Sequence, residues 1–175
     1  LDPEQLGARV AIDLRARDGL PLHGFVTYPA GAQRTGLPMV VLPHGGPFMH
    51  GDDWEYDRDA AMLAAHGYAV LQLNFRGTHG YGKHHVVAGY QQWGKAMQED
   101  LTDATRWAIQ QGIADSKRIC IYGASYGGYA ALMGVASEPD LYRCAVGYVG
   151  VYDLPQLVDE LEGAKAKENF GHEWI

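Results

Sequence analysis

Four short apolar runs alternate along the chain with segments that have the residue spacing of helices. The runs lie at residues 37–42, 68–75, 118–122 and 142–149. The run at 37–42 is unbroken, which is typical of a strand that is covered on both faces, and the other three are mainly apolar. Helical patterns occupy the intervening segments at residues 55–66, 97–112 and 126–136. Repeated strand-helix units form right-handed crossovers, so the sequence predicts an α/β fold with a mainly parallel sheet and helices on both faces.

An antiparallel edge is expected before the first of these runs. Residues 10–17 and 22–28 are rich in β-formers and flank an Asp18-Gly19 pair, which is a strong signal for a tight hairpin. The chain has 175 residues, 47% of them hydrophobic, so we expect a single domain with a sizeable core. Because it begins at Leu1 rather than Met and ends on the apolar pair Trp174-Ile175, we interpret it as part of a longer protein.

The charge pattern argues against nucleic acids and membranes as partners. The chain carries 14 Lys and Arg against 21 Asp and Glu, a formal net charge of -7, and it has no basic patch. No apolar run approaches the roughly 18 residues of a membrane span. Residues 1–10 lack the features of a secretory signal. We therefore expect a cytoplasmic protein with no nucleic-acid or membrane partner.

The two cysteines, Cys120 and Cys144, each fall in a predicted strand. A free cysteine in that setting behaves as a small buried hydrophobe, and neither spacing nor context resembles a disulfide framework or a metal site. We interpret both as free thiols, with a disulfide as the alternative, and this weakly favours a reducing compartment. No constellation of residues predicts a metal ion or an organic cofactor.

The strongest chemical signal is the segment Gly123-Ala124-Ser125-Tyr126-Gly127. It matches the pattern G-x-S-x-G and lies between an apolar strand and a helix of small residues. The chain must turn abruptly at this junction, and the serine must adopt a strained backbone conformation, which small neighbours permit. We therefore predict that Ser125 is a nucleophile; the alternative is a tight packing turn between strand and helix.

A serine that attacks a carbonyl group creates an oxyanion, which backbone N–H groups must stabilise. One donor normally belongs to the residue after the serine, here Tyr126. The second donor comes from a glycine-rich loop after an earlier strand, and His44-Gly45-Gly46-Pro47 follows the run at 37–42. Gly46 is the candidate, with Gly45 close behind, unless the loop only reverses the chain. His44 precedes the serine, so we interpret it as structural and not as the general base.

Three segments, in this order, resemble the catalytic domain of the prolyl oligopeptidase family of serine peptidases. They are HGGP, NFRGTHGYG and GASYGGYAALMG, and the resemblance runs from Asp18 to about Asp153. It is strongest for the acylaminoacyl-peptidase and dipeptidyl-peptidase-like branches. It implies an α/β-hydrolase domain that acts on oligopeptides and usually follows a β-propeller, although no propeller repeat is visible in this chain. It also implies that Ser125 is the nucleophile and that Gly46 and Tyr126 are the oxyanion donors.

By analogy with the same family, Trp54, Tyr81 and Tyr126 are candidates to line the substrate pocket, with simple packing as the alternative. The family's triad runs Ser, Asp, His, and the last two follow later strands, but only about 50 residues follow Ser125 here. We therefore expect the last strands, the acid and the base to lie outside the chain, which on its own should be nearly inactive. A local triad of Ser125, Asp153 and His172 is the alternative.

Two other functions remain open at this point. The motifs encode acyl transfer and not the acyl group, so an esterase or other small-molecule α/β-hydrolase would carry them too. The scaffold could also serve as a non-catalytic interaction module. A sheet without its last strands exposes an edge and apolar faces, so self-association is expected.

Overall fold

The computed structural model describes residues 7–165, with side chains up to residue 160. The strands in this part of the chain are β1 (Ala8–Arg15), β2 (Pro21–Tyr28), β3 (Leu37–Val41), β4 (Ala69–Asn74), β5 (Ala114–Ala124) and β6 (Cys144–Tyr148). The helices are α1 (Arg58–Ala65), α2 (Lys83–Val87), α3 (Ala96–Gln110), α4 (Tyr126–Ser137) and α5 (Leu154–Lys165). The strands form one sheet in the order β1-β2-β4-β3-β5-β6.

The sheet is parallel from β4 to β6 and antiparallel at its beginning. β1 pairs antiparallel with β2, which pairs antiparallel with β4. The neighbours β4, β3, β5 and β6 are all parallel. The turn between β1 and β2 contains Asp18 and Gly19, and the positive φ of Gly19, 89°, suits a glycine. The predicted hairpin and the predicted mainly parallel sheet are both confirmed.

Helices cover both faces of the sheet, as the alternating pattern predicts. Helix α1 lies on one face, where Ala60 packs with Leu42 and Val70. Helices α3 and α4 lie on the other face, over the larger core that includes Leu71 and Leu73. All six residues of β4 are buried, because this central strand has a helical layer on each side.

The element boundaries differ from the sequence prediction mainly where polar residues continue an element. Strand β5 begins at Ala114 instead of 118, because Leu37 pairs with Ala114 and extends the ladder through a polar segment. Helix α5 runs beyond the predicted 155–161 to Lys165.

Among the described residues, no helix combines the length and the apolar character that crossing a membrane requires.

The interpretation of the two cysteines as free thiols is wrong. Cys120 and Cys144 form a disulfide, and their Cα atoms are 4.7 Å apart. The reason is the parallel register of β5 and β6, in which these two residues are direct partners. This separation falls within the range that a disulfide can bridge. The argument for a reducing compartment therefore loses its basis.

Candidate active site

Ser125 lies at the sharp junction between β5 and α4. Its φ is 56° and its ψ is -123°, a conformation that few residues other than glycine adopt. The side chain is exposed to solvent, and the backbone N–H donates to the Tyr148 carbonyl at 3.0 Å, which ties the junction to the end of β6. The backbone strain predicted for this serine is therefore present, and its hydroxyl is accessible.

The glycines around Ser125 allow four backbone segments to meet. A Cβ added to Gly123 would lie 2.6 Å from the carbonyl carbon of Gly127, and one added to Gly127 would overlap the carbonyl oxygen of Pro43. A Cβ on Gly128 would lie 3.0 Å from the Cα of Gly150. The first turn of α4 thus approaches strand β5 and the loops after β3 and β6 more closely than side chains at these glycines would allow.

The loop after β3 lies directly against the serine. A Cβ built on Gly45 would be 3.5 Å from the Cβ of Ser125, an ordinary contact distance. Gly46 has a φ of 112°, and a side chain there would also lie 2.6 Å from the Met49 side chain. The positive φ favours glycine at this position, and a larger residue would also displace the Met49 side chain.

Two backbone amides beside Ser125 remain available as donors. The Tyr126 N–H belongs to the first turn of α4, where a helix offers no acceptor to its amides. The Gly46 N–H takes part in none of the backbone hydrogen bonds outside helices and strands in the described part of the chain. The two candidate donors predicted from the sequence are thus on the two segments that flank the serine.

The Tyr126 side chain points into the core and not into a pocket. It is fully buried, with its ring centroid 4.7 Å from that of Trp93 and 5.2 Å from that of Phe75. Burial raises the pKa of the Tyr126 hydroxyl well above its usual value. For this side chain the packing alternative is correct, because the aromatic cluster anchors the first turn of α4.

Trp54 and Tyr81 contact the β2 side of the sheet. Trp54 packs edge-on against Phe25 with ring centroids 5.0 Å apart, and Tyr81 stacks on His23 at 4.6 Å. Both contacts lie on β2, and β4 and β3 stand between β2 and β5, the strand that leads to Ser125. These two aromatic residues are exposed, but their contacts do not bring them beside the serine.

His44 is partly buried in the loop after β3, and both of its ring nitrogens are engaged. Nδ1 lies 2.7 Å from the Gly45 carbonyl oxygen, and Nε2 lies 2.9 Å from the Thr78 hydroxyl. The ring stacks on Phe75 at 4.3 Å. Burial lowers the pKa of His44 to about 4, so the ring is neutral near pH 7 and has no free nitrogen to accept a proton from Ser125. This supports the structural interpretation of His44, while nothing in the sequence pointed to Thr78 as its partner.

Of the alternative local triad, the structure describes Ser125 and Asp153, and Asp153 has another role. Asp153 caps α5, because its Oδ1 accepts from the Gln156 N–H at 3.0 Å. His172 lies outside the described residues. From residue 7 to 165, no side-chain hydrogen bond of Ser125 is found, and no three His, Cys, Asp or Glu are grouped so that they could hold a metal ion.

Comparison with known proteins shows to which family the chain belongs. Residues 54–170, more than half of the sequence, match the family model described as the prolyl oligopeptidase family. The chain belongs to the prolyl oligopeptidase family. This confirms the resemblance seen in the HGGP and GASYGGYAALMG segments, which was read from the sequence alone.

Relatives within the prolyl oligopeptidase family are much longer than this chain. The chain is 37% identical to the dipeptidyl aminopeptidase BIII of Pseudoxanthomonas mexicana over 165 residues, which cover 90% of the chain and 24% of that protein. It is 28% identical to the acylamino-acid-releasing enzyme of Homo sapiens, covering 80% of the chain and 19% of that enzyme. It thus spans about a quarter or less of the length of these relatives.

A solved structure of the same kind confirms the fold. The crystal structure of puromycin hydrolase superposes with a TM-score of 0.84 at 28% identity, covering 91% of this chain and 24% of that one. The strand order and the helical layers described above are therefore those of an α/β-hydrolase peptidase, as predicted.

Proposed function

We propose that the chain is the N-terminal part of the catalytic α/β-hydrolase domain of a serine peptidase, which hydrolyses oligopeptides through an acyl-enzyme on Ser125. The observation that carries this proposal is the exposed Ser125 at positive φ, flanked by the available amides of Gly46 and Tyr126. The peptidase names of the relatives support a peptide substrate. Residues 1–175 then all belong to this one domain, and none of them forms part of a β-propeller.

The chemistry follows from the geometry around the serine. The Ser125 oxygen attacks the carbonyl carbon of the scissile peptide while a general base takes the hydroxyl proton. The carbonyl oxygen becomes an oxyanion, and the Gly46 and Tyr126 N–H groups donate hydrogen bonds to it. The C–N bond then breaks as the protonated base returns the proton to the leaving amine, and water hydrolyses the resulting ester.

We expect the general base and its acidic partner to lie outside this 175-residue chain. Both nitrogens of His44 are engaged, and Asp153 caps a helix. Loss of triad partners leaves a serine hydrolase only the catalysis of its oxyanion hole and binding. We therefore expect the 175-residue chain alone to turn over peptides only at this residual level.

Fluorophosphonate labelling tests this proposal. The longer protein that carries this chain should label rapidly at Ser125 and lose the label in Ser125→Ala, whereas the 175-residue chain should label slowly although circular dichroism shows it folded. Rapid, Ser125-dependent labelling of the 175-residue chain would mean that a base lies within it, with His172 the first to substitute. A longer protein that does not label would contradict the proposed function.

The two alternatives predict different behaviour. An esterase would hydrolyse p-nitrophenyl esters far faster than aminoacyl p-nitroanilides, whereas a peptidase should hydrolyse both. A non-catalytic interaction module has no use for a strained serine, so the φ of 56° at Ser125 argues against it. Comparing both substrate types with the longer protein separates these functions.

Partners and compartment also belong to the proposal. Strand β6, at one edge of the described sheet, exposes Val146 and Tyr148, so we propose self-association of the isolated chain through this edge. A single monomeric mass by light scattering across a wide concentration range would refute this self-association.

The absence of a nucleic-acid partner remains a prediction. The disulfide between Cys120 and Cys144 favours an oxidising compartment over the cytoplasm predicted from the sequence.

A further inference from the structure

The side chain of Met49 lies against Gly46, one of the two candidate oxyanion donors. A Cβ built on Gly46 would be 2.6 Å from Met49 Cγ and 2.9 Å from Met49 Sδ. The methionine side chain therefore fills the space that a side chain on Gly46 would take. The N–H nitrogen of Gly46 is one covalent bond away from the Cα at this contact. The thioether thus adjoins the donor group.

The main chain around Met49 is held by the loop and strand beside it. The Met49 carbonyl accepts from the His79 N–H at 2.8 Å. Three residues further on, the Asp52 N–H donates to Asn74 Oδ1 at 2.8 Å, and Asn74 Nδ2 donates to the Asp52 carbonyl at 2.8 Å. Because these bonds hold the loop in place, a chemical change in the Met49 side chain acts on the groups that surround it.

Met49 is also one of two exposed methionines. The chain contains five, and all of them lie within the described residues. Met39 and Met97 are fully buried, and Met133 is half-buried. Met49 is 49% exposed, and Met62 on helix α1 is 47% exposed. Since an oxidant must reach the sulfur atom, Met49 and Met62 are the two that should oxidise first.

Oxidation by a hydroperoxide would change the chemistry of the contact with Gly46. One peroxide oxygen is transferred to the Met49 sulfur: the O–O bond breaks, an S–O bond forms, and the sulfur loses two electrons. Hydrogen peroxide is reduced to water in this step. The thioether sulfur is only a weak hydrogen-bond acceptor, whereas methionine sulfoxide is polar and its oxygen accepts hydrogen bonds well. The reaction therefore places a good acceptor beside the Gly46 amide.

An acceptor at this position competes with the oxyanion for the Gly46 N–H. The sulfoxide oxygen belongs to the same loop and is present throughout the reaction, whereas the oxyanion forms only as the serine attacks. Loss of one oxyanion donor reduces kcat by about 100-fold to 1,000-fold. Competition that occupies the donor for only part of the time should reduce kcat less.

We propose that Met49 is a site of oxidative modification, at which formation of the sulfoxide lowers the activity of the peptidase. The proposal rests on the proposed function, because the effect is exerted through the Gly46 donor. The unmodified side chain has no part in the reaction steps described above. Methionine sulfoxide is reduced by two enzymes, one for each sulfoxide epimer, so the inhibition should be reversible.

Met49→Leu and Met62→Leu are matched variants that test this site in the longer protein. Leucine is apolar and similar in size to methionine, and it has no sulfur to oxidise. Each protein is treated with hydrogen peroxide, and its kcat is compared with its own untreated value. We expect wild type and Met62→Leu to lose about 10-fold to 100-fold in kcat, and Met49→Leu to lose no more than about twofold. Treatment of oxidised wild type with both sulfoxide reductases should restore kcat.

Two results of the peroxide experiment would overturn the proposal. The first is a wild-type protein that keeps its kcat after treatment. The second is an equal loss in wild type and in Met49→Leu, which would place the sensitive group elsewhere.

Glutamine at position 49 tests the mechanism without an oxidant, because its amide carbonyl is also a good acceptor on an unbranched side chain. We expect Met49→Gln to lower kcat by about 10-fold with KM within about twofold, and Met62→Gln to match wild type. A peptide trifluoromethyl ketone, which forms a tetrahedral adduct with the serine, should lose affinity by about the same factor as kcat/KM. A raised KM with an unchanged kcat would contradict competition for the Gly46 N–H.

Peptide mapping by mass spectrometry tests the modification independently of activity. In the peroxide-treated longer protein, the sulfoxide should form at Met49 well before it forms at Met39 and Met97. A Met49 that oxidises no faster than these two buried residues would refute the site. If Met49 oxidises as expected but the untreated longer protein cleaves no peptide, the proposed function fails while the modification site stands.

Discussion

Gly123→Ala is the substitution for which the structure gives the sharpest expectation. The added Cβ would lie 2.6 Å from the carbonyl carbon and from the carbonyl oxygen of Gly127, and 2.8 Å from its Cα. These are backbone atoms of α4, which no side-chain rotation can move. Carbon atoms in ordinary contact are about 3.5 Å apart, so β5 and the first turn of α4 must separate by about 0.9 Å.

This separation should reduce both stability and catalysis. Overpacking of a tightly packed region costs about 1–3 kcal/mol, which in a domain of this size lowers Tm by about 2–12 °C. The displaced turn carries the Tyr126 N–H and adjoins Ser125. Because misplacement by about 1 Å can reduce a rate by about 100-fold, we expect kcat of the longer protein to fall by a factor of that order.

Gly134→Ala, in helix α4, is the matched control. Its added Cβ would meet side-chain atoms of Gln98, Ile121 and Tyr142 at 3.2–3.3 Å, two of them ends of flexible side chains. Alanine also has the higher helix propensity, by about 1 kcal/mol. We expect its Tm to remain within about 4 °C of wild type. Thermal denaturation and initial rates check both variants, and a Gly123→Ala protein with wild-type Tm and kcat would refute the reasoning.

Two further predictions concern the disulfide and a partly buried carboxyl group. Reduction of the Cys120–Cys144 disulfide, which bridges a separation of 24 residues, should lower the free energy of unfolding by about 3 kcal/mol. Urea denaturation with and without a reductant measures this difference. Two free thiols in the untreated, denatured chain would contradict the pairing. Burial, and then the neighbouring Asp57, raise the pKa of Asp52 to about 7, so the protonated form stabilises the fold below the usual pKa of 3.8 and this contribution is lost as the pH rises through 7. Asp52→Asn mimics the protonated acid. It should therefore raise the free energy of unfolding by up to about 4 kcal/mol at pH 8 and leave it unchanged at pH 3.5. An equal effect at both pH values in denaturant titrations would disprove the raised pKa of Asp52.

The sequence by itself determined the elements of the fold and the candidate site. Apolar runs and helical spacing are local patterns, and so they identified β3, β4, β5, β6 and the main helices. The G-x-S-x-G segment is also local, since the glycines that permit the strained turn at Ser125 lie within five residues of it. Gly46 and Tyr126 could be chosen as donors for the same reason, because each belongs to a short motif with a fixed position relative to its strand.

Only the tertiary structure decided which distant residues meet. The pairing of Cys120 with Cys144 depends on the register between β5 and β6, which no spacing along the chain encodes. The contact between His44 and Thr78 joins residues 34 positions apart. The direction of an aromatic side chain likewise depends on the layer packed against it, so the sequence could not tell that the Tyr126 ring enters the core. Side-chain contacts of this kind arise from the packing of whole elements, whereas a sequence pattern specifies only the element to which each residue belongs.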